Sequence, residues 1–356
     1  MSTSGQRDRR MRYRKLRALR EGVRRFYPGY FALVMATGAI SIACQLLGMR
    51  APALVLVGVN WLIFPTLVAV NAVRIVKFRS AFVEDTSDHQ RAPGFFTWVA
   101  GACVLGTQNM VVLGAQQIAL VLWWTGLLLW GVVMYTFFTA VTVRARKPTL
   151  AHGINGAWLT ASVATQSIVV LRGVIDAGRA PPEPIQFLAL SFFFIGAMLY
   201  LAIIPLIFYR LTFVTMRTSD FGPPYWINMG AVAISTLAGS LLIMRSGDWP
   251  LIEPLLPFIK GLTGLFWATA TWWAPFLFAL MVWRYVWERD PVRYDPSVWG
   301  MIFPLGMYTT CTLQFSRAMD YPFLAPLSGV LIYFALFAWA IAALGLGRRL
   351  MRLAGT

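Results

Sequence analysis

The chain has 356 residues, 58% of them hydrophobic and 15% aromatic but only 13% charged, with a mean hydropathy of +0.64. A soluble domain carries about 25% charged residues, so these proportions exclude an ordinary water-soluble globule. The net charge of +17 comes from 31 Lys and Arg against 14 Asp and Glu. The cluster Arg7, Arg9, Arg10, Arg12, Arg14, Lys15, Arg17 and Arg20 fits a membrane-proximal segment drawn to anionic lipid headgroups rather than a nucleic-acid surface.

Residues 1–25 read as a basic cytoplasmic N-terminal tail, 26–347 as one membrane transport domain and 348–356 as a short cytoplasmic C-terminal tail. Within the domain, apolar stretches run over 28–48, 52–75, 94–113, 118–142, 152–171, 185–209, 223–244, 255–283, 298–319 and 323–346. The first opens with Phe-Tyr-Pro-Gly and has no small-residue cleavage site, so it is a retained span rather than a signal peptide. Lipid offers no hydrogen-bond partners, so each stretch is expected to be a helix whose backbone is satisfied internally.

With the N-terminus in the cytoplasm, only Arg50, Arg172, Arg179, Arg245, Lys260 and Arg317 of the 31 basic residues fall outside. That asymmetry predicts both termini inside, in a multi-pass plasma (inner) membrane protein. The odd-numbered spans carry 23 Asn, Gln, Ser, Thr and His residues and the even ones 13. Even spans instead hold Trp123, Trp124, Trp130, Trp267, Trp272, Trp273 and Trp283. Small and polar side chains belong where helices meet or water enters, and bulky apolar ones face lipid. The expected fold is therefore all-α, with the odd helices as an inner ring and a hairpin recurring five times. The recurrence is in length and polarity, without strong residue-by-residue identity.

No acid lies deep in a span; Asp176, Asp248, Glu253 and Asp320 sit at span ends. A buried proton relay and a cation-selective ring of acids both lose support. Anions fit better. Arg172, Arg245 and Arg317 stand at the outer ends of odd spans, where they would attract anions to a mouth. Thr37, Ser41, Asn155, Thr160, Thr165, Gln166, Asn228, Ser235, Thr236, Thr309, Thr310 and Thr312 are candidate pore-lining donors that bind weakly enough to release. Pro65, Pro205, Pro275 and Pro304 interrupt spans and bend them, and Phe303 directly precedes one such bend. Cys44, Cys103 and Cys311 lie in apolar stretches as packed hydrophobes, and His89 and His152 are too isolated for a metal site. No cofactor is expected.

Pro28–Gly38 (Pro-Gly-Tyr-Phe-Ala-Leu-Val-Met-Ala-Thr-Gly), Tyr225–Ala231 (Tyr-Trp-Ile-Asn-Met-Gly-Ala), Thr271–Pro275 (Thr-Trp-Trp-Ala-Pro) and Phe303–Tyr308 (Phe-Pro-Leu-Gly-Met-Tyr) together resemble the tellurite-resistance and C4-dicarboxylate transporter family. That family includes fungal malate permeases and plant slow anion channels. The resemblance runs from about Phe26 to Arg348. It implies ten transmembrane helices as five hairpins in quasi-fivefold arrangement, a central pore lined by odd helices, a homotrimer with one pore per subunit, and a Phe plug at Phe303 before Pro304. The long phosphorylated tails of the plant channels are missing.

The expected function is passage of small organic anions, C4-dicarboxylates such as malate or succinate, through a Phe-gated pore without ATP; no P-loop is present. The alternative is a channel or exporter for sulfite, tellurite-related oxyanions, chloride or nitrate. A more distant one is an intramembrane transferase or protease, for which neither a His-rich motif nor a Gly-x-Ser-x-Gly elbow is found. A membrane scaffold without flux is the remaining reading. The expected partners are the anion, membrane lipid and further copies of the chain, with no nucleic acid.

Overall fold

The computed structural model describes residues 13, 17, 19–291 and 294–355. Arg7, Arg9, Arg10, Arg12, Arg14, Lys15 and Arg293 of the sequence reading lie outside the described residues. Ten long helices follow one another: α1 (Pro28–Leu46), α2 (Arg50–Lys77), α3 (Ala92–Leu113), α4 (Gln116–Val143), α5 (Gly156–Ile175), α6 (Glu183–Phe213), α7 (Pro223–Arg245), α8 (Pro250–Trp287), α9 (Trp299–Met319) and α10 (Pro322–Arg352). All except α9 are long and apolar enough to cross a membrane. At 21 residues α9 has the length, but Thr309, Thr310, Thr312, Gln314, Ser316 and Arg317 dilute its apolarity. It tolerates them because it is enclosed by protein, with Phe303, Met307, Thr309 and Cys311 all buried. The helix of α10 runs on through residue 355, taking in most of 348–356.

The odd helices pack α1 on α3, α3 on α5, α5 on α7, α7 on α9 and α9 back on α1, closing a ring. Each even helix packs on the odd helix before it and leans on the odd helix after it, α10 closing onto α1. Burial follows: 94% of the apolar window of α7 is buried, and 83% of those of α1 and α5, against 22% for α8 and 17% for α10. Indole N–H groups pin the outer layer to the ring, from Trp130 to Thr165 at 2.8 Å, Trp267 to Thr312 at 3.2 Å and Trp339 to Thr37 at 3.0 Å. Away from water each such bond avoids an orphaned polar group.

The odd helices all begin at one end of the bundle, here the base, and end at the other, the crown. Each opens with a 3-10 turn: Pro28–Phe31, Ala92–Phe95, Gly156–Leu159, Pro223–Trp226 and Pro296–Val298. Proline suits these first turns because the helix needs no N–H there. The five turns touch in a closed ring of their own. In one register the four residues before Ala32, Thr97, Thr160, Ile227 and Gly300 are Pro-Gly-Tyr-Phe, Pro-Gly-Phe-Phe, Gly-Ala-Trp-Leu, Pro-Pro-Tyr-Trp and Pro-Ser-Val-Trp, a degenerate residue-level repeat that reading for strong identity passes over. The approach is close: a methyl on Gly94 would lie 2.7 Å from the Gly29 nitrogen, and one on Gly156 would collide with the Pro224 carbonyl.

Four even helices end at the base on an arginine that reaches back to the chain entering its own hairpin. Arg74 donates to the Arg24 carbonyl at 3.1 Å, Arg144 to Ser87, Arg210 to Ile154 and Arg284 to Phe221. In the fifth hairpin Tyr294 packs against Gly345 of α10. The base arginines thus latch the segments that carry the 3-10 turns.

Candidate functional site

Two small cavities lie on the axis of the ring. The base cavity, about 30 Å³, takes residues from all five entering turns: Tyr27, Gly29 and Ala32; Gly94 and Thr97; Ala157 and Thr160; Pro224 and Ile227; Ser297 and Gly300. The crown cavity, about 10 Å³, is lined by Ile42 of α1, Val104 and Thr107 of α3, Ser167 and Val170 of α5, Ile234 and Leu237 of α7, and Met307 and Thr310 of α9. No lysine, arginine, aspartate or glutamate is among these residues. Each has room for about one water.

The lining has a single register. Counting Ala32, Thr97, Thr160, Ile227 and Gly300 as position n in their helices, the crown cavity takes n+10 from every odd helix and n+7 from all but α1. These positions share one helical face, because n+7 and n+10 fall within about 80° of n. Position n+3 falls on the same face at the depth between the cavities. It is Met35, Ala100, Val163, Gly230 and Phe303, all buried, with Phe303 only 1% exposed. Four of the five are small or slender, and the fifth is a phenyl ring.

The surroundings of α9 fix where that ring stands. Pro304 is the neighbour of Gly230 on α7, 2.7 Å from where a methyl there would sit, and Gly306 meets Ile40 of α1. With Pro304 at zero and roughly 100° per residue, Gly300, Met307 and Thr310 lie near 320°, 300° and 240°, and Phe303 near 260°. Phe303 is thus in the sector that faces the axis, and Pro304 seats α9 against α7.

Of the twelve hydroxyl and amide residues expected along the path, Thr160 lines the base cavity and Thr310 the crown cavity. The others have different roles. Thr37, Thr165 and Thr312 accept the indole N–H groups of α10, α4 and α8. Ser41 donates to the Ala53 carbonyl of α2 at 2.8 Å, and Gln166 to Phe193 of α6 at 3.0 Å. Ser235, Thr236 and Thr309 donate to carbonyls four residues back in their own helices. Asn155 accepts from the Ala157 N–H and caps α5. Asn228 is buried behind the lining, beside the base-cavity residue Ile227. The physical reason is register: Thr37 and Thr165 are n+5, Ser41, Thr236 and Thr309 n+9, and Thr312 n+12, all turned well away from the axial face.

The crown arginines are also placed. Arg172 is paired with Asp176 and lies over the Trp123 ring, so its charge is spent locally rather than on a mouth. Arg245 lies 4.0 Å from Asp248, and Arg317 donates to Gln314 at 3.3 Å. Cys44, Cys103 and Cys311 are buried and free.

At the base, sequence reading missed a charge cluster. The Asp85 carboxylate accepts from Arg74, which is 1% exposed, and from Arg91 at 2.7 and 3.0 Å. Its hydrogen bonds hold the Arg91 guanidinium above its ordinary pKa. Arg91 also reaches the Phe26 carbonyl at 3.2 Å and lies over the Tyr27 ring, a wall of the base cavity. The signal was hidden because the partners are separated in sequence by a turn and a short helix, Arg79–Thr86.

Comparison with known proteins agrees with this geometry. The voltage-dependent anion channel family matches residues 25–346. The chain is 34% identical over 143 residues to an uncharacterized membrane protein of Mycobacterium tuberculosis, covering 40% of this chain and 72% of the relative. It is 24% identical over 331 residues to an uncharacterized transporter of Methanocaldococcus jannaschii, covering 90% and 92%. It is similar at 22% identity over 326 residues to a sulfite efflux pump of Trichophyton rubrum, covering 84% of each. With the family match spanning nearly the whole chain, and five hairpins closed around two axial cavities that no charged side chain lines, this chain belongs to the voltage-dependent anion channel family.

Proposed function

We propose that the chain passes small oxyanions along the axis of its five-helix ring, with Phe303 as a movable plug between the base and crown cavities and without ATP. The observation that carries this reading is the middle tier, where one phenyl ring shares a register position with Met35, Ala100, Val163 and Gly230 between two cavities lined without charged side chains. A lining without fixed charge releases an anion as readily as it admits one. The base is proposed to face the cytoplasm, with both termini inside and the domain in the plasma membrane, because 25 of the 31 lysines and arginines fall on that side in the sequence. The functional unit is proposed to be a homotrimer with one path per subunit, a reading supported by the family resemblance.

For the cargo, the resemblance in α1, α7, α8 and α9 favours C4-dicarboxylates such as malate or succinate. Sulfite is the second reading, favoured by the full-length similarity to a sulfite efflux pump. Purified protein in liposomes, tested for flux of malate, succinate, sulfite, nitrate and chloride at two pH values, separates them. Saturable malate flux selects the first, preferential sulfite flux selects the second, and no anion flux from well-folded protein refutes both.

A further inference from the structure

Buried or partly buried guanidinium groups in this fold have carboxylate partners. Arg74 and Arg91 share Asp85, Arg172 has Asp176, and Arg284 has Asp290. Arg210, at the base end of α6, differs. It is only 8% exposed, yet among the described residues no carboxylate lies within ion-pair distance. One nitrogen, Nη1, donates to the Ile154 carbonyl, and the guanidinium lies over the Tyr225 ring, 5.8 Å from its centre. Nε is buried with no hydrogen-bond partner, and the buried hydroxyl of Tyr225 has the Arg210 side chain as its polar neighbour. A buried guanidinium without a counter-charge is strongly unfavourable, and so is a buried donor without an acceptor.

The place matters as much as the missing partner. Ile154 is three residues before Ala157, and Tyr225 directly follows Pro224; both Ala157 and Pro224 line the base cavity. Arg210 therefore stands where the entering turns of α5 and α7 meet, in contact with residues close in the chain to lining residues of that cavity. Nε and Nη2 form one edge of the guanidinium plane, the edge that meets two oxygens of a carboxylate or sulfite with parallel hydrogen bonds.

We propose that Arg210 and Tyr225 form an oxyanion-binding site at the base end of the bundle, where the entering turns of α5 and α7 meet, the station where the transported anion is held before it reaches the axis. This rests on the transport reading given above. The Nε edge of Arg210 takes two anion oxygens and the Tyr225 hydroxyl donates to the anion, while Nη1 keeps its bond to Ile154. A spherical halide takes both donors at a single point and gains no parallel pair, so the station favours carboxylates and sulfite over chloride.

The test compares wild type with Arg210→Gln and Arg210→Lys. Gln retains an N–H for the Ile154 carbonyl and loses the charge; Lys retains the charge and loses the planar fork. In proteoliposomes supplied with malate or sulfite at the base side, the half-saturating concentration rises about tenfold or more in Arg210→Gln, with maximal flux within about twofold of wild type, and Arg210→Lys falls between. The half-saturating concentration for chloride moves less. Independently of flux, the melting temperature of detergent-solubilised wild type rises with added malate or sulfite at constant ionic strength, and this rise is absent in Arg210→Gln. A lower melting temperature with unchanged half-saturation and unchanged anion response in Arg210→Gln reduces Arg210 to a latch and overturns the site. Stabilisation of wild type by phosphatidylglycerol but not by the free anions assigns the oxyanion to a lipid phosphate and overturns the waiting station. Wild type that binds malate or sulfite but carries neither refutes transport while leaving the oxyanion site standing.

Discussion

Phe303→Ala removes the bulk of the middle tier and leaves Met35, Ala100, Val163, Gly230 and a methyl group around the axis. In wild type the cavities on either side are about 30 and 10 Å³, each near the room one water needs, and the ring divides them. On the proposed function every passing anion must move that ring out of a site where it is 1% exposed. Loss of the packing around a buried Phe costs about 3–5 kcal/mol, and ~1.4 kcal/mol changes a rate tenfold. Removal of the ring should thus raise anion flux by about 10²-fold to several thousandfold, the upper figure holding if no other barrier takes over. Met35→Ala, at the same depth on α1, should raise it only a few-fold, because a slender flexible side chain already yields. Flux and current in liposomes, with melting temperature and monodispersity as folding controls, make the comparison. Well-folded Phe303→Ala protein with wild-type or lower flux would refute the plug.

Asp85→Asn strands Arg74, which is 1% exposed, and weakens the hold of Arg91 on the Phe26 carbonyl. Breaking a buried pair from one side costs about 3–5 kcal/mol, so thermal unfolding in detergent should show a large destabilisation; an unchanged midpoint would contradict the clamp. His89 is held below its usual 6.5 by burial first and then by Arg144 and Lys147. The unfolded chain therefore takes up this proton at a higher pH than the folded one. The stability associated with neutral His89 is full above about pH 6.5 and is lost as the pH falls through that value toward the lower folded pKa. His89→Gln should flatten the fall in melting temperature between pH 7 and pH 5, and an unaltered slope would assign that fall to other groups.

The alternation of polar inner and apolar outer helices was legible in the sequence, because lipid-facing surfaces such as that of α10 accept few polar groups while α5, enclosed on all sides, accepts many. The pore lining was far less so. Thr37, Thr165 and Thr312 are polar because indole N–H groups of the outer layer need acceptors, whereas Ile42, Val170 and Leu237 face the axis and look like lipid-facing residues in a list. Composition cannot separate these cases; only the fivefold register n, n+3, n+7, n+10 does, and it becomes visible once the Pro-Gly, Gly-Ala, Pro-Pro and Pro-Ser turns are aligned. The base arginines carry two signals at once, orientation across the bilayer and closure of each hairpin, and the first masks the second.

The ring of five 3-10 turns has an electrical consequence. Five helices point the same way along the axis, and each contributes roughly half a positive elementary charge at its first turn and half a negative one at its last. Their even neighbours run the other way but lie farther from the axis, and two of them end on Arg144 or Arg210, cations with no carboxylate partner among the described residues, while Arg74 and Arg284 are paired with Asp85 and Asp290. The base end of the path is thus more electropositive than the crown end even though no charged side chain lines it. An anion arriving at the base is stabilised, and one travelling toward the crown climbs a potential set by the backbone itself. On the transport reading, with equal concentrations on both sides and equal voltages of opposite sign, the two directions of anion current are expected to be unequal, an asymmetry set by the peptide groups.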